Sequence, residues 1–277
     1  MYQVLDKDMI NLEIIPHLSI AKRGFKTKSC LIEIVNAILY KLKTGCQWAF
    51  LPVKSLFSDV VLSYQAVFWH YRKWCKNGDW QQCWISLLNK HKSCLDLSSG
   101  DIDGSHTPAI KGGEEVAYQG RKKRKTTNSL YLTDRQGLPL ALSSPKAGNH
   151  HDLHEIQQAL NEMFSVLEKA SIALDGLFIN ADSGFDSKSF RLACAERGIY
   201  ANVDFNPRNG ESNEYEYLLD DELYKERYSI ERTNAWMDSF RSILNRFDVT
   251  VSSWEGFNYI AFMVILLKKL KKSEKSR

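Results

Sequence analysis

Three acidic residues carry the chemistry this sequence could do. Asp103 lies in the strand-like run Asp101-Ile102-Asp103-Gly104-Ser105-His106, Asp182 directly follows the apolar run Leu177-Phe178-Ile179-Asn180-Ala181, and Glu231 lies on a helical stretch. Carboxylates are hard oxygen donors that suit Mg²⁺, an ion that keeps several of its waters and needs few protein ligands. Two such ions about 3.5–4 Å apart clamp the attacking and leaving oxygens of a phosphodiester during in-line displacement. In that arrangement Asp103 bridges both ions while Asp182 and Glu231 complete one site each, with Mn²⁺ as a substitute metal. A bound ion lowers the pKa of its water, so no separate general base is needed. Each residue alone has an ordinary reading: Asp103 as a strand-end cap, Asp182-Ser183-Gly184 as a turn, Glu231 as a solvated helix charge.

The cations around these acids fit a polyanionic substrate. Arg121, Lys122, Lys123, Arg124 and Lys125 form an unbroken basic block, read as a mobile loop between two strands. Such a block holds backbone phosphate and gives affinity without sequence choice. Tyr224 and Arg227 precede Glu231 on one expected helix face and are placed to contact DNA phosphate. The plain alternative is an Arg227–Glu231 pair at i,i+4 spacing, worth a few tenths of a kcal/mol. Arg72 and Lys73 stand on the basic side of an N-terminal helix. His150 and His154 are also four apart, yet lack a third ligand and read as surface residues. His106 lies beside the proposed site, Asp101 shares a strand face with Asp103, and Asp186 reads as helix-cap material.

Periodicity supplies the elements that must position these groups. Helices are expected over residues 28–45, 63–76 and 80–91, with Gly45 and Gly78 as stops. Their short connections and basic second member resemble a helix-turn-helix layout, or equally a small helical bundle with a solvated face. The polar stretch 93–100 marks a boundary, giving a helical DNA-binding domain over 1–97 and a catalytic domain over 98–277 that includes the last helix. Strands follow at 101–109, 127–134 and 138–143, then a helix capped by Asn149 or Asp152, with Asp152 and Glu155 at capping-box spacing. A strand at 177–182, a helix at 187–197 and a strand at 200–205 come next. After an acidic irregular piece over 211–222, one long helix is expected over 224–247 and another over 254–271. The result is an α/β chain, a mixed sheet flanked by helices.

Hydrophobic residues make up 44% of the 277, enough for a real core, and the net charge of +4 is mildly basic. None of the six cysteines forms a C-x-x-C pair, which argues against zinc-finger and redox readings. Free thiols, no secretory signal and no apolar run long enough to span a bilayer fit a cytoplasmic protein.

Taken together, the motifs resemble bacterial insertion-sequence transposases of the DDE type, in the group named after insertion sequence five. The resemblance rests on Asp101-Ile102-Asp103-Gly104-Ser105-His106-Thr107-Pro108, on Gly120-Arg121-Lys122-Lys123 with Lys125-Thr126-Thr127-Asn128, on Ala147-Gly148-Asn149-His150-His151-Asp152 and on Asn180-Ala181-Asp182-Ser183-Gly184-Phe185. It extends to the helical run Val35-Asn36-Ala37-Ile38-Leu39-Tyr40-Lys41-Leu42. Tyr224, Arg227 and Glu231 match the group's signature of Tyr, two residues, Arg, three residues, Glu. The signature's final basic position is occupied here by Asp238, and the nearest cation is Arg241. The resemblance implies a ribonuclease-H-like catalytic fold behind a small all-helical domain. It also implies two Mg²⁺ ions, cleavage at the element's terminal inverted repeats and joining of the 3′ ends to target DNA. Double-stranded DNA and a second protomer in a synaptic complex are the implied partners, with residence on the bacterial nucleoid. The rival is a transposase-derived DNA-binding protein that does not cut.

Overall fold

A computed structural model describes residues 3–20, 27–209 and 219–275. Most of the acidic piece expected over 211–222 therefore lies outside the described residues. The chain forms two compact units that interleave in sequence: Met1–Leu87 with Ala109–Glu114 and Trp236–Arg277, and Leu88–Pro108 with Glu115–Ala235. They are not the contiguous segments expected on either side of residue 97. No helix among the described residues is long and apolar enough to cross a membrane.

The second unit is built on a seven-stranded sheet. Strands β1 (Gly100–Pro108), β2 (Ala117–Gln119) and β3 (Arg124–Asp134) come first. They are followed by β4 (Pro139–Leu142), β5 (Lys146–Ala147), β6 (Phe178–Ala181) and β7 (Tyr200–Val203). The path is β2-β3-β1-β6-β7, and β4 and β5 also pair with β3. β3 is long enough to pair antiparallel with β1 from Thr126 to Asp134 while β2, β5 and β4 share its other edge. β6 and β7 run parallel to β1. This mixed order is the ribonuclease-H-like arrangement implied by the sequence motifs.

Three helices flank the sheet's later part: residues Ile156–Lys169, Lys188–Ala195 and Asp221–Lys225. The first buries Leu160, Met163, Phe164 and Leu167 at helical spacing. The expected capping box does not form. Glu155 sits in the left-handed region at φ 52° and gives no side-chain cap, because Asp152 is drawn away to Asn128. Ser187 caps the second helix by accepting from the Phe190 N–H, leaving Asp186 to pair with Arg191 at 2.9 Å instead.

The single long helix expected over 224–247 is broken into three pieces. Asp221–Lys225 ends at Glu226, the helix Ser229–Asp238 (called the site helix below) starts afresh, and Phe240 is extended before a short turn at Arg241–Leu244. Tyr224 therefore does not share a helix with Glu231.

Among the described residues the first unit's elements are helices, with one isolated bridge between Ala109 and Arg246. Its main helices are Leu31–Thr44, Tyr64–Lys76, Asp79–His91 (which runs on into the second unit) and Val251–Lys275. Gly45 ends the first of these with φ 68°, its N–H donating to Lys41 O at 2.9 Å, as the sequence predicts. The last helix buries Trp254, Phe257, Ile260, Ala261, Phe262, Met263, Val264, Leu266 and Leu267, an apolar surface too broad for one solvent-facing side. It packs on Tyr64–Lys76, where Tyr71 stacks on Phe257 at 4.4 Å and donates its hydroxyl to Ser253 O. The N-terminal helices thus share their core with the chain's last helix and do not form a separate three-helix module.

Candidate active site

The sheet opens where the acids lie. β1 and β6 pair only at Gly100↔Ile179 and Asp101↔Asn180, after which β6 ends and β1 continues. Asp103 is two residues beyond the last pair, and Asp182 is the first residue past β6. Strand divergence at the carboxyl end of a strand leaves a crevice, the usual place for a ligand in open sheets. The site helix brings Glu231 to the same place, and a pocket of 330 Å³ is lined by Asp103, Asp182, Arg227 and Glu231.

A buried polar ladder fixes this crevice. Asp101, 2% exposed, accepts from Asn180 Nδ2 at 2.8 Å and from the Ser229 hydroxyl. Asn180 in turn accepts from Asn202 Nδ2 at 2.7 Å, and Asn202 Oδ1 accepts from the Asp220 N–H at 2.8 Å. Asp220 caps Asp221–Lys225 by accepting from Glu222 and Leu223 N–H groups. The ladder ties β1, β6 and β7 to both helices that flank Arg227. Thr233 donates to Gly137 O and Arg232 to Gln136 O (2.9 Å), which pins the site helix to the turn between β3 and β4. Gly137, at φ 80°, lies so close to Ser229 O that a Cβ would sit 2.8 Å from it.

The three acids differ in environment. Asp103 is half-buried and accepts from the Gly104 N–H at 2.7 Å; Asp182 and Glu231 are exposed. Asp182 also accepts from the Gly184 N–H at 2.8 Å, which orients its carboxylate at the turn. Burial first, then the charges of Asp152 and Asp182, push the Asp103 carboxyl up to about 6, while the Gly104 N–H and Arg227 act the other way. Arg227 lies 5.1 Å over the Tyr224 ring, with no ion pair to Glu231 among the described residues. Tyr224 is half-buried.

Asp152 is the residue that sequence reading placed wrongly. It accepts from Asn128 Nδ2 at 2.7 Å and lies 3.9 Å from His106 Nε2, packed over Gly104, where a Cβ would fall 2.0 Å from its Oδ1. Gly104, separated from it in sequence by β2, β3, β4 and β5, reserves its seat. His106 also lies 3.4 Å from Thr126 Oγ1, and burial pushes its pKa down.

Arg121, Lys122 and Lys123 form the tip of the β2–β3 hairpin, while Arg124 and Lys125 already pair with β2 as the start of β3, so the turn is tighter than the loop expected. Arg121, Lys122, Lys123, Arg124 and Lys125 are all exposed, and Lys122 folds back to donate to His106 O at 2.9 Å. His150 and His154 precede the helix and stack face to face at 3.7 Å. In the helical unit, Arg72 is exposed with its guanidinium 5.8 Å from the Phe68 ring, whereas Lys73 donates to Ser19 O at 3.2 Å.

Comparison with known families decides the identity. Residues 95–267 match the transposase DDE domain. The chain belongs to the DDE transposases. Residues 12–84 match a second model, described as putative transposase of IS4/5 family. Members of the DDE family cut and join DNA with divalent metal ions. Among solved structures, similarity reaches the Mos1 transposase paired-end complex with left transposon end (14% identity, 89% of this chain and 80% of that chain, TM-score 0.29). It also reaches the Mos1 strand transfer complex (12% identity, 89% and 79%, TM-score 0.27). The fold assignment rests on strand order and not on these overlaps. Comparison with curated proteins gives no match.

The transposase's acids fit a divalent metal by donor type. They are hard oxygens on one polar pocket, and the crowding that raises Asp103 is what a cation relieves. Among the described residues no three acidic, histidine or cysteine groups close around one point, so no single ion would be caged by all three.

Proposed function

We propose that this transposase cleaves phosphodiesters at the terminal inverted repeats of its own insertion sequence and joins the freed 3′ ends to target DNA. The observation that carries this reading is the shared pocket: Asp103 from β1, Asp182 from the end of β6 and Glu231 from the site helix, with Arg227 beside them. Two divalent ions bound there, Mg²⁺ or Mn²⁺, would supply an activated water or 3′-hydroxyl and neutralise the leaving oxygen.

The chain's own residues do the rest. Asp103, held by the Gly104 N–H and within the field of Asp182 and Asp152, would serve both ions. Asp182 and Glu231, both exposed, would each complete one ion. Arg227 would hold a DNA phosphate against the acids, its guanidinium braced over the Tyr224 ring. The hairpin cations Arg121, Lys122, Lys123, Arg124 and Lys125 would grip backbone phosphate, and Arg72 and Lys73 would do so from the helical unit. Both ends of an element must be held together during transfer, so we assign a homodimer or larger synaptic complex, acting on nucleoid DNA in the cytoplasm.

The test is purified protein with Mg²⁺ and labelled element ends, beside Asp103→Ala, Asp182→Ala and Glu231→Ala. Loss of cleavage in all three is expected; if all three cut as well as the parent, the assignment is wrong. A DNA-binding protein without cleavage is the second reading, favoured by Asp238, which stands exposed where the family signature has a cation. End-binding with no Mg²⁺-dependent cut in the parent would select it.

A further inference from the structure

The helical unit holds a second pocket, of 660 Å³, that the cleavage chemistry does not use. Its size falls in the range of small-molecule sites. Trp48 and Phe68 line it with rings 5.0 Å apart, and the cations Arg72 and Lys111 stand exposed at its rim. Two residues of opposite charge, Lys41 and Asp248, also line it.

Lys41 is the unusual one. It is 4% exposed, and its Nζ donates to Ser242 Oγ at 2.9 Å while lying 5.8 and 5.4 Å from the Trp48 and Phe257 ring centroids. An ammonium carries three donors. One goes to Ser242, rings offer no lone-pair acceptor, and two remain for whatever enters. Asp248 provides acceptors in the same pocket, and burial pushes its carboxyl up and the Lys41 ammonium down. Both groups have therefore lost much of their water, the condition under which a mismatched polar partner is most costly.

We propose that this pocket receives an unpaired nucleobase and selects guanine or thymine. Each of these bases offers a carbonyl oxygen beside a ring N–H on its pairing edge. Lys41 would donate to that carbonyl and Asp248 would accept from that N–H. Adenine and cytosine offer the reverse, an amino group beside a bare ring nitrogen, and leave both charges facing like partners. Trp48 and Phe68 supply stacking surface, which favours any base, so choice comes from the charged pair alone. Arg72 and Lys111 are positioned for the flanking phosphates. The inference rests on the reading that the chain binds DNA, but needs no cleavage.

The experiment titrates the full chain, in EDTA, with short duplexes that carry one unpaired guanine, thymine, adenine or cytosine, and with a fully paired duplex. Unpaired guanine and thymine should bind roughly tenfold tighter than adenine and cytosine. Asp248→Asn, whose amide can both donate and accept, should close that gap; Lys41→Met should remove the guanine and thymine advantage. Trp48→Leu should weaken all four unpaired duplexes together and leave their ranking unchanged. Thermal melts establish that each variant is folded, and if Lys41→Met is not, Asp248→Asn and Trp48→Leu decide. Equal affinity for the four bases overturns the pocket assignment alone, as does a preference that survives in Asp248→Asn. Failure to bind any duplex overturns the DNA reading as well.

Discussion

Each unit of this transposase buries a charge, and the two are treated differently. In the sheet unit Asp101 is buried and receives hydrogen bonds from Asn180 and Ser229. In the helical unit Lys41 is equally buried but has one hydrogen bond and two ring faces. A buried charge with its partners supplied is structural: it fixes where strands and helices stand, and removing a partner leaves an uncompensated group. A buried charge with donors to spare is costly until something completes it. The contrast separates a scaffold from a receptor within one chain.

The largest expected effect lies at the acids the scaffold presents. Asp103→Asn or Glu231→Gln should lower cleavage by about 10³-fold or more, the cost of removing one group that faces developing charge, while binding of element ends in EDTA is retained. Gel-based cleavage and filter binding on the same preparations check both halves, and a matching loss of binding would mean the scaffold itself had failed.

Next is the glycine that seats Asp152. Gly104→Ala places a Cβ 2.0 Å from Asp152 Oδ1, displacing it from Asn128. We expect cleavage to fall about 10–100-fold, as for residues that orient metal-binding groups. Gly120→Ala, where a Cβ meets nothing within 4 Å, should leave cleavage unchanged. Equal effects from the two would remove Asp152 from the account.

A stability measurement sharpens the scaffold side. Ser229→Ala leaves Asp101 short of one donor and frees the start of the site helix, at a cost of about 1–3 kcal/mol. Urea denaturation of parent and variant reads it directly. A cost near zero would mean the ladder is decoration.

The smallest effect tests an exposed pair for contrast. Lys271 donates to Asp6 Oδ2 at 2.7 Å, and this bond, followed by the Met9 N–H, holds the Asp6 carboxyl below its ordinary value. A depressed carboxyl gives stability that is present above pH 3.8 and is lost as pH falls through the lower folded value. Because the pair is partly solvated, Asp6→Asn should cost about 0.5 kcal/mol at pH 7, and the difference from the parent should vanish in acid. Thermal melts at pH 7 and near pH 3 check the sign.

Much of the sheet unit was legible because its cues are local. β1, β3, β6 and β7 fell within a few residues of the expected runs, since alternation and flanking turns are written in consecutive residues. The helix over 224–247 was misread because its apolar stripe is continuous while what breaks it is not local: Ser229, at the fresh start after the break at 226–228, is drawn to Asp101 on a distant strand. The capping box failed for the same reason, Asp152 finding a better partner in Asn128 than in the nearby backbone. Lys73 stays on the basic side of its helix, half-buried, but one of its donors goes to Ser19 O, a contact no local pattern announces. The final helix carried its own warning, apolar on nearly every side, yet nothing in a linear pattern says which elements will cover it.

The amino-acid sequence by itself determined five of the seven strands and the glycine stops, and it put forward the three acids as candidates, because hydrophobic period, backbone freedom and donor chemistry belong to short stretches. Only the tertiary structure decided that β1 and β6 part company beside Asp103, that Asp152 joins them, and that Lys41 is sealed among rings with donors unspent. Those outcomes depend on which distant group reaches a buried charge or an unpaired N–H first, a competition settled by packing in three dimensions.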